Sequence, residues 1–146
     1  MNQKLLIAIG TLTAIGILDS GYLVYQYYTE SDLFCNLLSG CDLVTKSVYN
    51  NFFGVPIALF GLLYYLAILG GIIYLSRRGL AIKLVRRLPF FAGAALLFSL
   101  WLTYLQWAVI KAWCQYCLLS TGLALAIFGG MVLLRLNSHE TERQPD

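Results

Sequence analysis

Four long apolar runs decide what this chain can fold into. They lie near residues 5–28, 54–75, 89–110 and 115–135, and each can supply the roughly 20 helical residues that cross a bilayer's hydrocarbon core. In lipid the backbone must satisfy its own hydrogen bonds, so a span is a helix or part of a closed barrel. The ten-residue alternation of barrel strands does not occur. The expected fold is therefore an all-α membrane protein, a four-transmembrane-helix bundle. Composition agrees, with 60% hydrophobic and 12% charged residues in 146, where soluble domains carry about a quarter charged. A net charge of +3 is too small to indicate nucleic-acid binding. Residues 1–136 read as one membrane domain and 137–146 as a polar cytoplasmic tail. The first run has one basic residue before it, Lys4, and no small-residue cleavage site, so it reads as a retained helix.

Orientation follows from lysine and arginine. Lys4, Arg77, Arg78, Lys83, Arg86, Arg87, Arg135 and Arg143 fall on one side, and only Lys46 and Lys111 on the other. The basic side, with both termini, is expected to be cytoplasmic, in a multi-pass cell (inner) membrane. Close helix packing is expected at Gly10, Gly16, Gly54, Gly61, Gly70, Gly71 and Gly122, with Pro56 in the first turn of the second span.

All four cysteines then lie on the periplasmic or extracellular side, where disulfides persist. Cys114 and Cys117 enclose Gln115-Tyr116 at the start of the fourth span. Free N–H groups and the helix dipole there favour a thiolate, the nucleophile of disulfide exchange. Nearby Lys111 is a candidate helper. Cys35 and Cys41 enclose Asn-Leu-Leu-Ser-Gly in the first outer loop, which can close on itself or swing toward another thiol. Two inert disulfides would only staple the loops. A four-cysteine zinc site fits the count, but the spacing of Cys35 and Cys41 is loose for it, and no metal is expected.

Polar groups inside the spans are the other candidates. Cys117, Ser120 and Thr121 share a face of the fourth span, and Ser99, Thr103 and Gln106 form a stripe on the third. That stripe serves a pocket or interhelical hydrogen bonds equally well. Asn50 and Tyr65 are further pocket candidates. Asp19 is the one acid inside a span, and an intramembrane carboxyl is a functional hypothesis by default. It can supply protons or serve as a neutral structural acid. Val44, Val48 and Phe52 at i,i+4 predict a short surface helix over Asp42–Phe52, with Ser47 facing the pocket. Trp113 fits the outer interfacial belt.

Taken together, Cys35, Cys41, Ser47, Phe53-Gly54-Val55-Pro56 and Cys114-x-x-Cys117 resemble the vitamin K epoxide reductase family in its short prokaryotic form, as does Asp19-Ser20-x-Tyr22-Leu23. The resemblance spans roughly residues 5–135. It implies a four-helix bundle around a quinone pocket, capped by a cysteine-bearing outer loop. It also implies electron transfer from extracytoplasmic thiols to a membrane quinone (menaquinone, ubiquinone or phylloquinone), supporting disulfide formation. Cys114 and Cys117 would be the active-site pair, with Cys117 nearest the quinone. Cys35 and Cys41 would be the shuttle pair, Cys41 linking to Cys114 and Cys35 facing the partner. Asn50, or the adjacent Asn51, would meet a quinone carbonyl. Thr121 stands where animal relatives have a tyrosine and keeps a hydroxyl there. Many prokaryotic members carry a thioredoxin-like domain after the last span. This chain ends at Asp146, so its donor is expected to be a separate extracytoplasmic thioredoxin-fold (DsbA-like) protein.

Two alternatives compete. DsbB-type proteins carry Cys-x-x-Cys in the first outer loop, and the order here is the reverse. A non-catalytic membrane module, or a small transporter with structural disulfides, would need neither quinone nor turnover.

Overall fold

The computed structural model describes residues 3–30, 40–78 and 82–143, with the side chains of all but Asn50, Phe52, Arg78, Ile82 and residues 140–143. Four long helices dominate: α1 (Gln3–Thr29), α3 (Ile57–Arg78), α4 (Ile82–Leu105) and α5 (Gln115–Arg143). Between α1 and α3 come a one-turn helix α2 (Cys41–Thr45), a 3-10 turn (Val48–Asn50) and a small antiparallel hairpin, β1 (Asn51–Phe52) with β2 (Val55–Pro56). Four helices are long and apolar enough to cross a membrane, and the chain is a multi-pass membrane helical bundle.

The helices overrun the apolar runs. α4 begins at Ile82 rather than near 89, taking Pro89 into its interior, and α5 continues to Arg143, through much of the segment expected to be a separate tail. Hydropathy marks the part of a helix that sits in lipid, and backbone hydrogen bonding carries the helix on into water. Pro56 belongs to β2, one residue before α3, rather than to the helix's first turn.

α1 packs on α3 and α5, and α4 on α5, while α3 and α4 touch far less. Ile9, Tyr65, Ile68, Leu75, Ile127 and Met131 are the centre of the buried core. Trp101, Trp107 and Trp113 point outward, as aromatic side chains facing lipid and its interface do. Without a hydrophobic force between helices in lipid, close packing decides association, and three glycines show it. A Cβ at Gly16 would lie 2.5 Å from the Tyr65 ring, one at Gly130 2.8 Å from Ile9, and one at Gly71 3.3 Å from Leu88. Among the described residues Gly10, Gly54, Gly70 and Gly122 have no such neighbour, so the packing role expected of them does not hold there, and Gly61 has only an ordinary contact, to Ser20 at 3.8 Å.

The continuous surface helix expected over Asp42–Phe52 is also replaced. Ser47 ends α2, its N–H and its hydroxyl both donating to the Val44 carbonyl, the latter at 2.7 Å. Val44 is 7% exposed and Val48 82%, so the two do not share a face. Phe53 and Gly54 then form the two-residue turn of the hairpin with φ of 53° and 81°, the double left-handed geometry that matches the twist of paired strands.

Candidate active site

The start of α5 is built around two sulfurs. Cys114 stands just before the helix, and its carbonyl accepts the Leu118 N–H at 3.1 Å. Its Sγ accepts the Cys117 N–H at 3.5 Å. Cys114 therefore caps α5 with sulfur in the way serine caps a helix with oxygen. Both cysteines are free thiols, whereas Cys41 is disulfide-bonded. The Cys117 thiol hydrogen bond is the largest influence on Cys114 and holds its acidity stronger than an ordinary thiol's. Burial opposes this, and the N–H groups of Cys117 and Tyr116 reinforce the thiol. Lys111 does not provide that stabilisation. It adopts φ of 54° and terminates the turn that ends the third span.

That turn holds the pair in place. Gln106–Ile110 is a single π-helical turn, a local widening common at functional sites. The Gln106 backbone carbonyl accepts the N–H groups of Lys111 and Ala112. Its side-chain Oε1 accepts the Cys114 N–H at 3.3 Å. Gln106 is 2% exposed and so joins the end of one span to the start of the next. From the other side, Cys41 and Val44 pack against Ala112 and Cys114 in one buried cluster. Gly40 permits this, because a Cβ there would come within 2.7 Å of the Trp113 backbone nitrogen.

A cavity of about 800 Å³ adjoins this cluster, lined by all four long helices and by the segment from α2 to β2. Its walls include Leu23, Ile57, Phe60, Phe98 and Leu102. Cys117, Ser120, Thr121, Ser47 and Asp19 all line it, and Cys114 does not. Ser120 Oγ is 2.9 Å from the Tyr65 hydroxyl. Thr121 Oγ1 donates to the Cys117 carbonyl at 2.9 Å and lies 3.1 Å from Thr103 Oγ1. The polar stripe divides accordingly: Ser99 and Gln106 line the cavity, and Thr103 joins α4 to α5. The Asn50 side chain and the whole of Cys35 lie outside the described residues. Asn51, the adjacent alternative to Asn50, lines the cavity and accepts a 2.7 Å hydrogen bond from Tyr27. Tyr64 was not singled out from the sequence. Its hydroxyl and both Asp19 oxygens are buried with no hydrogen-bond partner among the described residues.

This arrangement can take electrons from a buried thiol exchange on one side and deliver them to a ligand on the other. The described residues contain no cluster of three or more His, Cys, Asp or Glu suited to a metal ion. Compared with family models, residues 7–132 match the Vitamin K epoxide reductase family.

Proposed function

The chain belongs to the vitamin K epoxide reductase family, membrane oxidoreductases that couple thiols to quinones, and we propose that it relays electrons from an extracytoplasmic thioredoxin-fold protein to a membrane quinone. In this reading Cys35 and Cys41 take electrons from the partner dithiol and pass them to Cys114 and Cys117. The observation that carries it is the placement of the helix pair between two environments. Cys114 is buried beside Cys41, and Cys117 lines the cavity.

Each exchange requires a thiolate to attack a disulfide sulfur. Reduced loop thiolate attacks Cys114 of the oxidised helix pair, and the electron pair of the broken S–S bond leaves on Cys117. Completion of the exchange oxidises the loop and leaves the helix pair reduced, with Cys114 as thiolate and Cys117 as the thiol that takes the proton of the second loop cysteine. Oxidation of Cys114 and Cys117 back to a disulfide then delivers two electrons to the quinone. Gln106 fixes the backbone of Cys114 during both events, and the N–H groups at the start of α5 offset its charge.

The cavity fits a quinone. Ligand sites are mostly apolar, with a few oriented polar groups. Here aromatic and aliphatic walls surround Ser47, Asn51, the Tyr64 hydroxyl and Asp19, and the last two lack partners that a ring oxygen would provide. A non-catalytic module with inert disulfides does not account for a cysteine, Cys117, at the wall of such a cavity.

The test is quinone consumption by purified protein in detergent, supplied with a reduced thioredoxin-fold protein and a soluble quinone analogue. Turnover that Cys117→Ala abolishes supports the relay. No turnover across several donors and quinones contradicts it.

A further inference from the structure

The electron relay accounts for the electrons of quinone reduction and leaves its protons to be supplied. Asp19, in mid-α1, is 7% exposed and lines the cavity together with Cys117. Neither carboxyl oxygen has a hydrogen-bond partner among the described residues. Its neighbour Ser20 is occupied, donating to the Gly16 carbonyl at 2.6 Å. The titratable groups facing Asp19 are Tyr65 on α3 and Cys114, Tyr116 and Cys117 at the start of α5. None of them is a cation. Tyr65 is already hydrogen-bonded to Ser120. A structural acid would be tied to a neighbouring helix, and Asp19 is tied to nothing described. A buried carboxylate without counter-ion or donor is costly, whereas a neutral carboxyl is tolerated.

We propose that Asp19, as a neutral acid, is the proton donor to the quinone bound in the cavity. This rests on the relay reading. Conversion of a quinone to a hydroquinone takes two electrons and two protons. The helix pair supplies both electrons when its sulfurs join. With Cys114 as thiolate and Cys117 as thiol, the pair holds only one proton, and Asp19 holds the second. In the balanced step the Cys117 S–H and Asp19 O–H bonds break. The Cys114–Cys117 S–S bond and two hydroquinone O–H bonds form. The negative charge passes from the Cys114 sulfur to the Asp19 carboxylate. A proton returns through the cavity, whose lining also includes Glu30, Asp42 and Lys46.

The test separates the two half-reactions in the full chain in detergent. Dithiothreitol reduces the oxidised helix pair in the first, and the reduced protein meets a short-chain quinone analogue in the second. Asp19→Asn should leave the first unchanged and slow the second about 10²-fold, the usual scale for losing a positioned general acid. Asp19→Glu should restore part of the rate, a rescue that depends on an ionisable proton at this position. An Asp19→Asn protein that reduces quinone at the normal rate overturns the proposal. So does one that slows both half-reactions equally. Should Asp19→Asn fail to fold, infrared difference spectra of the wild type decide. The C=O band of a buried neutral carboxyl should bleach during a single turnover, and its absence refutes the proton transfer. Wild-type protein that never reduces quinone overturns the relay itself, and this inference with it.

Discussion

Cys114 and Cys117 have the same side chain three positions apart, yet their places in the helix give them different tasks. Cys114 occupies the cap, where an N–H and a thiol converge on its sulfur. As pH rises its thiolate should therefore form earlier than an ordinary thiol's. Cys117→Ala removes the largest stabilising contact and should move that midpoint upward. Ultraviolet thiolate absorbance, referenced to Cys114→Ser, checks this, and an unmoved midpoint contradicts it. Gln106 makes a second prediction. Gln106→Leu leaves the buried Cys114 N–H without its acceptor, which costs about 1–3 kcal/mol and should lower the thermal midpoint. Gln106→Glu keeps an acceptor oxygen and should lose less. The Cys-x-x-Cys spacing made the pair legible in the sequence. The direction of its polarity was not, because that depends on which sulfur receives the helix N–H groups. Gln106 showed only as part of a polar stripe, because a π-helical turn shifts the helical phase that such a stripe assumes.

At the level of elements, small residues control how the pieces meet. Gly40 lets α2 lie against the Trp113 backbone and brings Cys41 beside Cys114. Gly40→Ala forces these segments apart, so it should slow thiol exchange while leaving the four-helix core folded. Stopped-flow exchange kinetics and helical circular dichroism read the two effects separately. Gly16 and Gly10 form a matched pair on α1. Gly16→Ala collides with the Tyr65 ring and should destabilise by about 1–3 kcal/mol, as overpacking does. Gly10→Ala meets open space and should be neutral or stabilising, since alanine favours a helix over glycine. Thermal unfolding in detergent compares them, and equal effects contradict the packing account. The long helices were legible because lipid demands them. Their ends were not, because hydropathy reports the membrane rather than the hydrogen-bond ladder. The surface helix was misread because periodicity at Val44, Val48 and Phe52 says nothing of the Ser47 stop or the Phe53-Gly54 turn.

Across the whole molecule, four spanning helices enclose a cavity whose polar members come from distant parts of the chain: Asp19, Ser47, Tyr64 and Cys117. The sequence suggested several of them one by one, and only the fold brings them around one cavity. Tyr64 was invisible beforehand because a tyrosine among apolar residues carries no mark of an unpartnered hydroxyl. The eight-to-two distribution of basic residues predicts that a C-terminal reporter will be active in the cytoplasm and that Cys41 will face the opposite side. Impermeant labelling of intact cells after reduction checks the second part. The central claim, that the helix pair feeds electrons to a quinone in the cavity, is tested most directly by one single-turnover measurement. Fully reduced protein is mixed with a quinone analogue, and the hydroquinone formed is compared with the Cys114–Cys117 disulfide found by mass spectrometry. Our account predicts equal amounts of both at every time point. Hydroquinone appearing while Cys114 and Cys117 remain free thiols would contradict it.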